Sequence, residues 1–214
     1  LVLKSRSSIL GSAMWLIGTS SRGSTLTSYG KSPITVRFVG GDAGLWKIKS
    51  IVTVTGDTGI GPAERMTVLE DAAEQDPGNA AWILRGFTSN IRYTNHSENE
   101  TLVARQAALG RKEATLAALI PIRKNKEWWA LTQDERREIF EEQSKHIAIG
   151  TEYLPAIARR LHHSRDLNEP FDFLTWFEYA PEHSSQFEEL VKRLRATQEW
   201  KYVDREIDIR LVLN

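Results

Sequence analysis

Two side chains in one segment could do chemistry together. The stretch EEQSKHIAIGTEYLPAIARR runs from Glu141 to Arg160 and carries His146 and Arg159. An imidazole can ligate a metal or bond a carbonyl inside a core, and a guanidinium is a fixed cation suited to anions. His146 falls on the same side of a predicted helix as Ile139, Phe140, Gln143, Ile147 and Gly150, at spacings of three and four. Glu135, Arg136, Arg137, Glu141 and Lys145 fall mostly on the other side, so His146 is expected to point inward. The pattern leaves two readings open, a core histidine bonded to a carbonyl and a metal ligand. The other histidines sit differently: His96 in the polar run TNHSENE, His162 and His163 at the end of a predicted helix, and His183 in the first turn of another. No H-x-x-x-H spacing occurs, which argues against multi-histidine zinc.

Trp128 and Trp129 follow PIRKNKE. Adjacent tryptophans are costly to expose and need N–H partners when buried. They read either as core aromatics at a helix entry or as a wall for a flat ligand, with Lys124 or Arg123 on its carboxylates. Arg105 and Gln106 are predicted in mid-helix, where a solvated face is the ordinary explanation. GDTGIG lacks the strand–turn–helix setting of a phosphate loop, and no Ser–His–Asp set can be assembled.

These residues must be positioned by a chain of 214 residues with no net charge and no cysteine. Zero net charge gives no global pull toward nucleic acid or an anionic membrane. The missing thiols exclude disulfides, cysteine-ligated metals, iron–sulfur clusters and thiol catalysis. Strands are predicted at 34–41, 46–54, 80–89, 115–124 (with Pro121 at an edge or bulge), 171–179 and 201–213. TLVARQAALG reads as a helix stopping at Gly110. A capping box at Thr132–Glu135 opens the helix bearing His146, a second helix is predicted over 152–163 with Arg159 on its flank, and Pro181 opens a third over 182–196. Its apolar stripe is Phe187, Leu190, Val191 and Leu194. The order after residue 115 is then β, α, α, β, α, β, which fits a ferredoxin-like α+β unit. Residues 1–32, rich in Ser, Thr and Gly, are expected to form a poorly ordered extension. The expected location is the cytoplasm, or the periplasm if LVLKSRSSILGSAMWLIGTSS is a signal-peptide remnant; its apolar run is interrupted by Gly and Ser. No stretch is long enough to span a membrane by helix.

The run from ALIPIRKNKEWWALTQDERREIF through KHIAIGTEYLPAIARR to FDFLTWFEYAPEH and ATQEWKYVDREIDIRL resembles the chlorite dismutase family of b-type haem enzymes, most of all its short, dimeric branch. The resemblance spans about Phe38 to Leu211 and is densest after Thr101. It implies haem b held by His146 as proximal ligand, with Glu199 accepting a hydrogen bond from the other ring nitrogen. It makes Arg159 the distal arginine with Gln106 beside it. Lys124, Trp128 and Trp129 would line the haem edge and propionates, and Asn90 and Tyr93 would help hold the macrocycle. The implied fold is a dimeric α/β barrel of two ferredoxin-like units, a shortened one at 33–114 and the haem-binding one at 115–214. The implied reaction turns chlorite into chloride and dioxygen. Related coprohaem decarboxylases carry a tyrosine where this chain has Ile120, and generally lack the distal arginine. Other readings are a peroxidase-like haem protein and a cofactor-free interaction module in which His146 merely packs.

Overall fold

Alternating apolar residues in this chain close into a ring of strands. The computed structural model describes residues 33–71, 79–88 and 93–213, so the expected N-terminal extension at 1–32 lies outside the described residues. The strands are β1 (Thr35–Gly41), β2 (Trp46–Thr55), β3 (Arg65–Glu70), β4 (Trp82–Thr88), β5 (Leu116–Lys124), β6 (Ala158–His163), β7 (Phe173–Tyr179) and β8 (Val203–Leu213). They form a closed barrel in the order β1-β3-β2-β8-β5-β7-β6-β4. Every pairing is antiparallel. Read around the ring, the order β4-β1-β3-β2 in the first four strands repeats as β8-β5-β7-β6 in the last four.

Successive side chains of a strand face opposite ways, and this splits the core in two. Ala117, Leu119, Leu174, Trp176, Ile207, Ile209 and Leu211 join Phe38 and Met66 inside the barrel. Ala118, Ile120, Ile122, Phe173, Phe177 and Tyr179 face outward into a second apolar cluster. Helix α5 (Ser184–Arg195) covers that cluster with Phe187, Leu190, Val191 and Leu194, the stripe expected from sequence. Both faces of β5 are buried, which is why ALIPI reads as a continuous apolar run.

Four expectations are corrected. The segment predicted as a helix over 152–163 forms β6, paired with β7 from Ala158 to His163 and with β4 at its end. His162 and His163 are therefore strand residues, and His162 is buried more deeply than His146. Pro121 is not at an edge: β5 has neighbours on both sides, and only its ladder to β8 skips Ile120 and Pro121. Helix α1 spans His96–Arg105, opened by an Asn95–Glu98 capping box inside the run read as a polar break. Gln106 stands just past its end in extended conformation. Strand β3 was not anticipated. Among the described residues, no helix is long and apolar enough to cross a membrane.

Candidate active site

His146 owes its place to a helix that is interrupted twice. The Thr132–Glu135 capping box opens α3 (Gln133–Arg137), as expected. The chain then widens into a π-helical turn, Glu138–Gln143, and Lys145 adopts left-handed backbone (φ 55°). A new helix, α4 (His146–Glu152), starts at His146 itself. The uninterrupted helix predicted through His146 is thus replaced by a break, and π turns of this kind gather at functional sites. The imidazole lies flat on Phe140, with ring centroids 4.4 Å apart.

On its far side, Nδ1 of His146 lies 2.6 Å from Oε2 of Glu199. Lys124 donates to Oε1 of the same carboxylate at 2.8 Å and to the Glu199 carbonyl at 3.2 Å. The Glu199 and Lys124 side chains are 4% and 1% exposed, so the pair is shielded from solvent screening. Burial works to raise the Glu199 carboxyl, but Lys124 and His146 outweigh it and hold the group at about 2. Glu199 is therefore an anion at any working pH and accepts from His146 Nδ1–H, so Nε2 is the ring nitrogen not engaged by that carboxylate. Lys124 itself sits 4.6 Å from the Trp128 ring centroid and 5.6 Å from that of Trp200.

All of these groups border one cavity of about 400 Å³, within the usual range for a small-molecule or cofactor site. Its walls are mostly apolar, with Leu102, Ile122, Leu161, Phe173 and Leu194 among them. Arg159 lines it from β6, and Gln106 donates to the Arg159 carbonyl at 2.6 Å. The Arg159 guanidinium packs against Gly150, one turn along α4 from His146, where a Cβ would lie 1.7 Å from Nη1. A side chain at position 150 would evict it. Burial pulls this guanidinium down to about 10 while the Glu141 carboxylate pushes it back up, so it remains a cation at working pH.

The family profile described as chlorite dismutase matches residues 66–212. The chain belongs to the chlorite dismutase family. It is 55% identical to the dimeric chlorite dismutase of Nitrobacter winogradskyi, over 83% of this chain and 99% of that one, with a TM-score of 0.76. The chlorite dismutase of Candidatus Nitrospira defluvii in complex with imidazole is 19% identical, over 85% of this chain and 91% of that one, with a TM-score of 0.61. At that identity the likeness concerns the fold alone. The curated chlorite dismutase of Ideonella dechloratans is 37% identical over 62 residues, which is 29% of this chain and 20% of that protein.

Of the residues that the chlorite dismutase resemblance singled out, the structure brings His146, Glu199, Lys124, Trp128, Tyr93, Gln106 and Arg159 to the one cavity. Trp129 is not on its wall. In the short helix α2 (Lys126–Ala130), neighbouring side chains diverge by about 100°. Trp128 turns inward, while Trp129 bonds Asp172 at 3.1 Å and lies under Arg165. Asn90 lies outside the described residues. Arg123, the alternative cation, is engaged by Asp204 at 2.8 Å. Sequence reasoning placed Phe140 on the side of His146 without giving it a role, and passed over Trp200 and Glu206 on the cavity wall. The i and i+6 spacing of Phe140 and His146 falls on one helical face only roughly, and the π turn closes the difference.

Proposed function

We propose that this protein is a haem b-dependent chlorite dismutase that converts chlorite into chloride and dioxygen. The observation that carries the proposal is the arrangement of His146 and Arg159 on one apolar cavity, with a carboxylate behind the imidazole. Family membership supports the reading, as does the identity to the Nitrobacter enzyme.

The residues fit a haem. Among the described residues no three His, Asp or Glu side chains gather into a metal cage. A lone imidazole holds an iron well only when the remaining ligands come with it, as a macrocycle brings them. The buried Trp128 indole N–H on the cavity wall has no partner among the described residues. It is a donor waiting for an acceptor such as a propionate. The apolar walls suit the flat faces of the ring.

When bound, the haem iron supplies the redox centre at which chlorite gives up its oxygen atoms. The chain supplies everything around it. His146 would hold the iron through Nε2, and Glu199, accepting from its Nδ1–H, would make the imidazole a stronger electron donor. Lys124 keeps Glu199 charged and fixed. Arg159 makes no hydrogen bond through its guanidinium to the described residues, so its planar fork is free for a small anion. It draws chlorite in and retains a chlorine oxyanion against escape. Gln106 holds the Arg159 backbone and thereby fixes where that side chain starts. The net reaction moves no proton, so it asks for no acid–base catalyst on the cavity wall.

We read β5–β8 as a ferredoxin-like unit and β1–β4 as its shortened counterpart, because both runs share one strand order. The haem-binding unit is then residues 115–214. We further propose a homodimer: the Nitrobacter relative is dimeric, and Val52 and Val54 stand 50% and 40% exposed on β2. The test of function is oxygen release from chlorite by the haem-loaded chain. Haem bound at His146 without oxygen release would favour a peroxidase-like role instead.

A further inference from the structure

Helix α4 begins at a place where nothing local can cap it. Its first residue is His146, and the preceding Lys145 is left-handed and gives no side-chain cap. The first-turn N–H groups of a helix need acceptors from outside it. Here they come from Glu141, whose Oε2 accepts from the Ile147 amide at 2.6 Å and whose Oε1 accepts from the Ala148 amide at 3.3 Å. Glu141 is 8% exposed, so it is a buried carboxylate rather than a surface one. The wide π turn and the left-handed residue fold the chain back far enough for this reach, and the Lys145 amide bonds the Glu141 carbonyl at 2.9 Å. Two residues before His146, Ser144 accepts from the Glu199 amide at 2.9 Å through its Oγ. Both ends of the His146–Glu199 hydrogen bond are therefore anchored in residues 141–146.

We propose that Glu141 is a positioning residue for His146: its carboxylate caps α4 from within and so holds the imidazole toward Glu199. A seven-residue helix has little stability of its own. If the Ile147 and Ala148 amides lost their acceptor, the turn that carries His146 would loosen first. The carboxylate also places its charge near the positive end of the helix and near Arg159, which links the cap to the anion-binding side of the cavity. The effect on a bound haem rests on the function proposed above.

The test compares the full chain with Glu141→Ala, Glu141→Gln and a surface control, Glu142→Ala. In the haem-free protein, the low-field Nδ1–H proton of His146 reports its bond to Glu199. In the loaded ferrous protein, the iron–histidine stretching band reports the same bond. Glu141→Ala is expected to shift or lose the proton signal, shift or broaden the band, and weaken haem binding roughly tenfold or more. Glu141→Gln should recover part of this, since an amide oxygen can accept one of the two bonds. It also carries the test if the alanine variant does not fold. Glu142→Ala should match the parent. If Glu141→Ala melts earlier but keeps the parent's proton signal and stretching band, Glu141 is structural only and the proposal is wrong. If the parent chain binds no haem, the proposed function fails, and the Nδ1–H signal alone decides the role of Glu141.

Discussion

Glu199 Oε2 stands 2.6 Å from His146 Nδ1, and this contact joins residues 53 positions apart in the chain. The same carboxylate neutralises Lys124, so two polar side chains depend on one buried anion.

That dependence has an energetic consequence. Breaking a buried ion pair at one end strands the other charge, at a typical cost of about 3–5 kcal/mol. Glu199→Gln should therefore lower stability by that order at neutral pH. Adding Lys124→Met should recover a large part of the loss, because the stranded ammonium is gone. Chemical denaturation of the parent, the two single variants and the double variant gives the coupling. Additive losses would show that the Lys124–Glu199 contact is weak.

The Trp128 N–H makes no bond with the described residues, so Trp128→Phe costs the haem-free protein no hydrogen bond, only the packing of the larger ring. Haem affinity should fall several-fold, corresponding to about 1 kcal/mol for one lost donor. Haem titration followed by absorbance checks this. An unchanged affinity would mean that the N–H does not meet the cofactor.

Arg159→Ala should leave haem binding in place, since His146 is untouched, and should slow oxygen release from chlorite. Losing a charge-assisted contact to a small anion is worth roughly 1.5–3 kcal/mol, or one to two decades in rate. Oxyanion escape should rise, so the variant should bleach sooner and gain more from a hypochlorite trap such as methionine. Arg159→Lys should recover only part, since it keeps the charge without the planar fork. A variant equal to the parent in rate, trap response and total turnovers would remove Arg159 from the chemistry.

Buried His162 makes the fold sensitive to acid. It is 1% exposed, its Nδ1 lies 3.0 Å from the Leu174 carbonyl, and its Nε2 has no partner among the described residues. Burial lowers it to about 4. The folded state thus favours the neutral ring, and the unfolded chain takes up the proton first. Stability from this group is present in full above about pH 6.5 and is lost as pH falls toward 4, by up to roughly 3 kcal/mol. The Glu199 contribution has the same sign but falls away lower, between the ordinary carboxyl range and about 2. His162→Asn should flatten the stability profile between pH 6.5 and 4, even if its overall stability is lower. Denaturant midpoints across that range check it; an unchanged slope would assign the loss to other groups.

Much of this architecture is readable from patterns with a single period. Alternation marked β1 and β2, apolar runs between turn residues marked β4, β5, β7 and β8, and the 3.6-residue stripe of α5 matched its buried face residue by residue. The failures share a cause: tertiary partners overrode local pattern. LPAIARRLHH carries helix-like spacing of Leu154, Ile157, Ala158 and Leu161, yet its pairing with β7 makes it a strand. Pro155 near its start was the signal that a helix was disfavoured there. His162 looked like a helix-end cation for the same reason. The π turn before His146 has no sequence signature, so the break that lets α4 start at the histidine was not legible. Nor could spacing reveal that Glu199 faces His146 or that Gln106 holds Arg159. Those pairs came from the family resemblance, and their geometry from the way the strands and helices meet at the cavity.

The most direct measurement is a ferric haem titration of the full chain and its His146→Ala variant, followed by absorbance and circular dichroism. The parent should bind haem tightly and stoichiometrically with a sharp Soret band. His146→Ala should keep its fold while losing high-affinity binding and the parent's ferric spectrum. Equal haem content and an identical ferric spectrum in the two proteins would contradict ligation by His146, and with it the active site described around that residue.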